Sequence, residues 1–309
     1  MWHSLLDGVS AAVLTPRTDN DSVAEDQFRR NLYFLLARGI RSFALNGATG
    51  EFCLTTPTRL KRLLANASTI TDFDGQFVVC IGTPGYTTSV ELGRMATDAG
   101  AKAVLLPMPY FYAYEQEDLR AFVSRVADAL SIPVLLYNLP QFTSGIAPQT
   151  SLKLIREHGN VVGIKDSSGS LETLRLLTAE GIDCCRIVGS DGALAPALLE
   201  GVSDGVVSGV AGVLPELIQR VFAAGISAPQ SEEFRAVSTD LEALIEEINL
   251  LPVPWGLKVV SEERQLGPAT FAVPVAPERQ QQIEQLRAWY RQRSQTLSRP
   301  LFERPEYIC

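Results

Sequence analysis

The sequence predicts an α/β fold, one closed (β/α)8 barrel with a C-terminal helical extension, and three observations support this prediction. Between residues 9 and 224, eight short apolar runs alternate with segments of helical periodicity, which implies parallel strands joined by right-handed crossovers. The chain has 309 residues, enough for one barrel of about 250 residues plus an extension. No G-x-G-x-x-G sequence follows a predicted strand, which disfavours the alternative of an open, doubly wound sheet.

Each predicted strand is a short apolar run that ends in a polar or glycine-containing turn. The runs cover residues 9–16, 42–45, 77–81, 103–106, 133–137, 161–165, 186–188 and 205–207. Helical spacing follows the first run, because Phe28, Leu32 and Leu36 would share one helix face. Gly39 stands where the C-cap of that helix is expected.

The remaining helices complete the pattern. Within the barrel they are predicted at residues 58–70, 89–99, 115–130, 150–158, 170–179, 193–199 and 214–224, and beyond it at residues 231–250, 255–263 and 277–296. No segment is rich enough in linker residues to separate a second domain. We therefore expect residues 1–226 to form the barrel with its site, and residues 227–309 to form a helical extension packed on the barrel.

The composition disfavours several classes of partner. The net charge of −8 and the pI near 5.0 argue against nucleic acid or an anionic membrane as a main partner. No apolar run reaches about 18 residues, so no membrane-spanning helix is expected. The N-terminal residues 1–7 lack the basic start of a signal peptide, and the expected location is cytoplasmic.

Cysteine and histidine usage disfavours a metal centre. The five cysteines are Cys53, Cys80, Cys184, Cys185 and Cys309. They form no C-x-x-C motif and are expected to be reduced thiols. His3 and His158 lie far apart and flank no Cys or Glu motif, so neither zinc nor a histidine-based triad is expected. Acid–base chemistry would then come from Tyr, Lys, Asp or Glu.

Three polar residues stand at the carboxyl ends of predicted strands, where barrels of this kind build their sites. Lys165 and Tyr137 end neighbouring strands, so both can face one cavity, and Thr49 follows another strand in a Gly-flanked loop. Burial disfavours the charged form of a lysine, and a neutral amine is the nucleophile that forms Schiff bases. Taken singly, each residue also fits an ordinary strand end or tight turn. Their joint placement favours a catalytic site.

Four short motifs give the chain a resemblance to a known family. They are G-A-T-G-E at residues 47–51, Y-N-L-P at 137–140, G-I-K-D at 163–166 and G-S-D at 189–191. With these motifs in this order and spacing, the chain resembles the dihydrodipicolinate synthase / N-acetylneuraminate lyase superfamily of class I pyruvate-type aldolases. The resemblance implies a homotetramer of TIM barrels, each with a helical C-terminal region. It implies no metal and no cofactor beyond the imine between a lysine and the substrate.

The resemblance also implies roles for individual residues. Lys165 would be the Schiff-base lysine, and Tyr137 would shuttle a proton above it. Thr49, with the backbone N–H groups of Ala48 and Thr49, would hold the carboxylate of a 2-oxo acid such as pyruvate, because successive N–H groups in a glycine-rich turn form an anion pocket. Glu51 is expected to be a structural partner of this loop.

Three positions depart from the family's pattern. Ala48 replaces the first of two hydroxyl residues that bind the carboxylate. Phe142 stands where the synthase branch carries an arginine for the distal carboxylate of its second substrate. Phe111 stands where that branch passes a tyrosine across a dimer, although Tyr110 and Tyr112 flank it. The loss of the arginine and the tyrosine argues against lysine biosynthesis.

The remaining positions of the expected substrate site favour a 2-keto-3-deoxy sugar acid. With Phe142 and Gly189, Asp191 and Ser208 would form this part of the site, since they match positions that contact substrate hydroxyls in the sugar-acid lyase branch. Gly192 lacks the carboxylate of the sialic-acid lyases, which favours a shorter sugar acid. Asp191 could equally cap the helix that follows it.

Several functional hypotheses remain open at this point. The first is a Schiff-base-forming class I lyase or aldolase, with pyruvate as one fragment and an aldehyde as the other. A sugar-acid dehydratase, or a condensing enzyme like dihydrodipicolinate synthase, would use the same lysine imine. A hypothesis of another class is a 2-oxo-acid-binding protein that has lost turnover, suggested by Ala48 and Phe111. The lack of a dinucleotide loop disfavours a nicotinamide oxidoreductase.

Overall fold

The predicted (β/α)8 barrel is confirmed in the computed structural model, which describes residues 5–18, 20, 22–69 and 74–301. Parallel strands β1 to β8 close into a barrel in sequence order, with β8 paired to β1. The strands are β1 Gly8–Ala12, β2 Ser42–Leu45, β3 Gln76–Cys80, β4 Ala103–Pro107, β5 Val134–Asn138, β6 Val161–Asp166, β7 Cys185–Val188 and β8 Gly205–Ser208.

Each strand is followed by a helix on the outside of the barrel. These helices are α1 Glu25–Ala37, α2 Pro57–Ala67, α3 Tyr86–Asp98, α4 Gln116–Asp128, α5 Pro148–Glu157, α6 Glu172–Ala179, α7 Leu194–Glu200 and α8 Pro215–Ser227. Short 3₁₀ turns at Phe52–Leu54, Asp191–Ala193 and Val210–Gly212 lie at the carboxyl ends of β2, β7 and β8. The extension consists of α9 Glu232–Ile248, α10 Trp255–Glu263 and α11 Pro277–Leu297.

The strands are buried on both faces because helices cover the outside and side chains fill the inside. Alternate residues of β4 illustrate this. Leu105 packs with the apolar side chains inside the barrel (the lumen cluster), whereas Val104 and Leu106 pack under the helices, and all three residues are fully buried. The lumen cluster also contains Tyr137. The carboxyl end of the lumen is therefore where polar strand-end residues meet the apolar core.

Helix boundaries differ from the sequence prediction by a few residues, for local reasons. Helices α2 and α5 begin earlier than predicted, at Pro57 and Pro148, because proline at the first position has the right φ and needs no N–H acceptor. Thr56 caps α2 by accepting a hydrogen bond from the N–H of Arg59 at 3.3 Å. The predicted end of that helix, Ile70, lies outside the described residues.

The extension packs on the barrel through apolar side chains that join the main core, among them Phe234 and Leu257, and through buried ion pairs. A separate apolar cluster within the extension contains Leu251, Trp255, Val259, Ile283 and Leu286. The predicted division at residues 226/227 falls at the end of α8, which continues to Ser227. Among the described residues, no helix combines the length and the apolar character needed to cross a membrane.

His158 takes part in a contact that its sequence position does not suggest. Its Nε2 lies 2.9 Å from Ser124 Oγ, and its Nδ1 lies 3.4 Å from Asp128 Oδ1. This order of groups matches that of a Ser–His–Asp triad, but Ser124 lies within α4, where backbone N–H groups bond along the helix. Such a position leaves no oxyanion donors beside the serine, so we assign the contact to the packing of α4 on α5.

Candidate active site

A cavity of about 240 Å³ opens at the carboxyl ends of the barrel strands. Residues from the strand ends line its inner part, among them Thr49, Tyr137, Lys165 and Asp191. The cavity therefore lies at the end of the barrel where this fold places its sites.

Lys165 and Tyr137 form the centre of the cavity. They are register partners on β6 and β5, so their side chains enter the lumen side by side. The Lys165 Nζ donates a hydrogen bond to the Tyr137 hydroxyl at 3.1 Å and lies 4.2 Å from the centroid of the tyrosine ring. Both residues are buried, at 3% and 2% exposure. A primary amine and a phenol are thus held within proton-transfer distance.

Gly189, immediately after β7, gives Lys165 the space it occupies. A Cβ at position 189 would lie 2.7 Å from the Cε of Lys165 and 2.1 Å from the Oγ of Ser167. Real Cβ atoms do not approach other atoms this closely. Any other residue at position 189 would therefore displace the lysine, which explains why the G-S-D motif begins with glycine.

The turn after β2 (residues 46–51, hereafter the Thr49 turn) lies on the cavity wall. It begins and ends with non-glycine residues at positive φ, Asn46 at 56° and Glu51 at 58°. The N–H of Glu51 donates to the carbonyl of Ala48 at 3.0 Å, and the Asn46 amide donates to the carbonyl of Cys80 at 2.8 Å. These bonds hold a compact turn that presents Ala48 and Thr49 to the cavity, as an anion pocket requires.

Asp191 lies in the same cavity with one oxygen free. Its Oδ2 accepts a hydrogen bond from the N–H of Val210 at 3.2 Å, whereas its Oδ1 is buried without a partner. Burial raises the pKa of Asp191, although hydrogen bonds from Ser208 and Val210 oppose the shift. An unpartnered buried carboxylate oxygen is costly. The residue does not cap the following helix with its side chain.

Ser208 lies behind Asp191 rather than on the cavity surface. It is fully buried, and its Oγ accepts the N–H of Ala211 at 2.8 Å. The neighbours Val207 and Gly209 line the cavity, and Ser208 does not. Sequence analysis placed Ser208 in the substrate site because it ends a strand, but the alternation along β8 turns this side chain away from the cavity.

Sequence reasoning missed Ser167, which lines the cavity next to Lys165. Its Oγ is buried and has no hydrogen-bond partner. The only signal in the sequence is its place two residues after the lysine, in a polar turn. Phe142 lies at the cavity rim and is 54% exposed.

A second pair missed by sequence reasoning lies directly beyond the central one. The amide of Asn138 donates to both carboxylate oxygens of Asp166, at 3.3 Å each, and Asp166 also accepts the N–H of Ser168 at 2.8 Å. Asn138 and Asp166 follow Tyr137 and Lys165 on the same two strands and are register partners. Their contact ties the strand ends together outside the lumen and so fixes the spacing of the central pair.

The extension supplies the outer wall of the cavity, which the sequence did not predict. Ile248 and Asn249 from the end of α9 line it, together with Val253, Pro254 and Leu257 from the link to α10 and from α10 itself. Phe111 does not line the cavity. It is 87% exposed, has a φ of 82°, and contacts Tyr112 edge to face at a ring distance of 4.9 Å.

The described cysteines are buried or remote from the central pair. Cys53, Cys80, Cys184 and Cys185 form no disulfide with one another, and Cys309 lies outside the described residues, as does His3. Burial raises the pKa of Cys80, which lies in the lumen, to about 12. A thiol with such a pKa stays protonated and is a poor nucleophile.

Comparisons with known proteins show which family the chain resembles. The model of the Dihydrodipicolinate synthetase family matches residues 5–293. The 4-hydroxy-tetrahydrodipicolinate synthase of Salinibacter ruber is 34% identical over 228 residues, which cover 73% of this chain and 76% of the relative. The corresponding protein of Methanopyrus kandleri is 31% identical over 264 residues, covering 82% and 87%.

Solved structures show the same fold. Dihydrodipicolinate synthase from Aquifex aeolicus superposes with a TM-score of 0.87 at 21% identity, covering 94% of this chain and 98% of the other. A prophage protein of E. coli K12 from the dihydrodipicolinic acid synthase family, solved in complex with pyruvate, gives 0.84 at 22%, covering 94% and 99%. The extent of the family match and the level of sequence identity confirm the resemblance: this chain belongs to the Dihydrodipicolinate synthetase family, a family of enzymes of the class I aldolase kind.

Proposed function

We propose that the protein is a class I lyase that forms or cleaves a 2-oxo acid through an imine between Lys165 and pyruvate. The observation that carries this proposal is the 3.1 Å contact between the Lys165 amine and the Tyr137 hydroxyl inside the cavity at the carboxyl ends of the strands. The amine would attack the C2 carbonyl, and loss of water would leave a protonated imine. No other cofactor is required, since the imine itself accepts electrons from the bond that breaks.

The neighbouring groups fit the remaining steps. In the cleavage direction, Tyr137 as the phenolate would take the proton of the C4 hydroxyl, the C3–C4 bond would break, and its electron pair would pass to the imine to give an enamine. The aldehyde fragment would leave, C3 would gain a proton, and hydrolysis would release pyruvate and the free amine. The Thr49 turn would hold the substrate carboxylate throughout.

The distal part of the cavity supports a hydroxylated aldehyde as the second fragment. Asp191 and Ser167 line the cavity, and their side-chain oxygens would bind hydroxyl groups. Among the described residues that line the cavity, Lys165 is the only cation, so a second carboxylate would have no charged partner. We therefore propose a 2-keto-3-deoxy sugar acid rather than the substrate that the relatives' names denote.

Trapping of the imine tests this proposal. Incubation with pyruvate and borohydride should add one reduced pyruvyl group to the protein, and peptide mapping by mass spectrometry should place it on Lys165. Lys165→Met should abolish the adduct, and the matched control Lys153→Met, on the exposed surface of α5, should leave it unchanged. An adduct on another residue, or none at all, would contradict the mechanism.

The products separate the alternatives that share the imine. With 2-keto-3-deoxygluconate a lyase releases pyruvate, a dehydratase gives a dehydrated oxo acid, and a condensing enzyme acts on pyruvate plus an aldehyde bearing a carboxylate. A binding protein without turnover would gain thermal stability from pyruvate and release no product.

We also propose the homotetramer, since Phe111 and Tyr112 expose apolar surface that a second copy could cover.

A further inference from the structure

A buried ion cluster lies behind the Thr49 turn, and none of its members belongs to the proposed chemistry. Glu51 accepts the Nζ of Lys258 at 2.8 Å and the Nε of Arg17 at 3.5 Å. All three residues are buried, with 5% exposure for Lys258 and Arg17 and 8% for Glu51. A buried ion pair holds its partners firmly, because separating them leaves a charge without compensation.

Lys258 brings this contact from the extension, on α10, 207 residues away from Glu51 in sequence. Its Nζ also donates to the carbonyl of Thr270 at 2.7 Å, so the ammonium is fixed from two sides. Burial lowers the pKa of Lys258, and the hydrogen bond to Glu51 opposes that shift. The contact with Glu51 therefore favours the charged form of Lys258.

Glu51 is the last residue of the Thr49 turn, two positions after Thr49. Its backbone is left-handed, at φ 58° and ψ 50°, a conformation that costs a non-glycine residue free energy unless its surroundings enforce it. The side-chain contact with Lys258 supplies such a constraint. The N–H of Glu51 donates to the carbonyl of Ala48, which carries the constraint into the part of the turn that faces the cavity.

The residue before Lys258 reaches the same turn from the cavity side. Leu257 and Thr49 both lie close to Gly209: a Cβ on Gly209 would lie 2.9 Å from Leu257 Cδ1 and 3.2 Å from Thr49 Oγ1. Helix α10 thus contacts the Thr49 turn through the ion pair behind it and also places Leu257 next to Gly209, which Thr49 adjoins.

We propose that Lys258 is a positioning residue for the carboxylate of the 2-oxo acid, which it controls by holding Glu51 and thereby the Thr49 turn. This proposal rests on the proposed function. Affinity for pyruvate would then depend on a helix outside the barrel, while the amine and the phenol of the reaction centre remain in place without it.

The test compares two cations that anchor the same helix. Arg264, immediately after α10, pairs with Glu216 away from the cavity, so Arg264→Met is the control for Lys258→Met. The rate of borohydride trapping on Lys165 is measured against pyruvate concentration at a temperature where circular dichroism shows each variant folded. In Lys258→Met the half-saturating concentration should rise about 10- to 100-fold, with a maximal rate within about twofold of the parent.

The conservative variant and the partner variant complete the test. Lys258→Arg should keep the half-saturating concentration near that of the parent, because it can still pair with Glu51. Should Lys258→Met fail to fold, Glu51→Gln decides, and it should show the same rise. Unchanged half-saturation in the folded variant, or an equal rise in Arg264→Met, would overturn the proposal. Borohydride trapping of pyruvate on Lys165 in the parent protein tests the proposed function by itself, independently of the Lys258 variants.

Discussion

The cavity and the seam between barrel and extension treat their buried carboxylates in opposite ways. At the seam, Glu216 accepts the Nε of Arg38 at 2.6 Å and both terminal nitrogens of Arg264 at 2.8 and 2.9 Å. In the cavity, Asp191 keeps one oxygen without a partner. The pKa shifts follow: burial raises the pKa of both carboxyl groups, but the two guanidinium groups outweigh it at Glu216, whose pKa is lowered.

This difference separates groups that hold the fold from groups that are available to a ligand. The ion pairs of a fully paired buried carboxylate offset the free energy of its desolvation only while its partners are present. A partly unpaired one carries a cost in the empty protein that a bound hydroxyl would remove. Glu51 belongs with Glu216 by its pairing, although it lies next to the cavity. The comparison therefore predicts different outcomes when each carboxylate loses its charge.

The largest change in stability is expected at the seam. Glu216→Gln should lower the free energy of unfolding by about 3–5 kcal/mol, because two partly buried guanidinium groups lose their counter-charge. Chemical denaturation measures this loss, and trapping on Lys165 should keep its half-saturating pyruvate concentration. The control Glu157→Gln removes a surface pair with Arg120 and should change stability little. Equal losses of unfolding free energy in Glu216→Gln and Glu157→Gln would contradict the expected difference between the seam and the surface.

The ion pairs of Glu216 should also make the free energy of unfolding depend on pH. The folded-state pKa of Glu216 is lowered from its ordinary value of 4.5, so near that pH the unfolded chain binds more protons than the folded one. The contribution of Glu216 is therefore present above about pH 4.5 and is lost as the pH falls through the folded-state pKa. Unfolding measured from pH 7 downward should show the parent and Glu216→Gln converging in acid. A gap that widens in acid would contradict the assigned shift.

A smaller change of opposite sign is expected in the cavity. Because the pKa of Asp191 is raised, its contribution to stability is lost as the pH rises through the folded-state pKa. Asp191→Asn should therefore stabilise the protein at neutral pH by about 1 kcal/mol, while cleavage of a sugar acid slows by about 10- to 100-fold.

A paired aspartate provides the matched control for Asp191→Asn. Asp204 bonds Arg186 at 2.6 Å, so Asp204→Asn should lower the melting temperature, whereas Asp191→Asn should raise it. The comparison fails if both variants shift the melting temperature in the same direction.

The sequence predicted the central pair because both positions follow from local pattern. Two apolar runs each end in a polar residue, and consecutive strands of a βα repeat are neighbours, so Tyr137 and Lys165 had to lie at one edge. The same local pattern did not predict which way the side chains of Ser167 and Ser208 point. Both lie at or near strand ends, and only the direction of each side chain decides that Ser167 lines the cavity while Ser208 supports Asp191.

The extension marks the boundary of what sequence pattern can predict. Helical periodicity gave α10 at residues 255–263, as observed. It gave no sign that Leu257 would line the cavity or that Lys258 would pair with Glu51. A lysine on a helix is usually a solvated residue, and its burial here depends on which part of the barrel the helix covers.

The sequence by itself determined the (β/α)8 barrel, the order of its strands and the residues at their carboxyl ends, because alternation and periodicity are properties of neighbouring residues. Tertiary structure decided which polar groups face the cavity, which carboxylates are paired, and which helix closes the wall. Those outcomes depend on packing between segments far apart in the chain. Contacts across such distances leave no periodic trace in a single sequence.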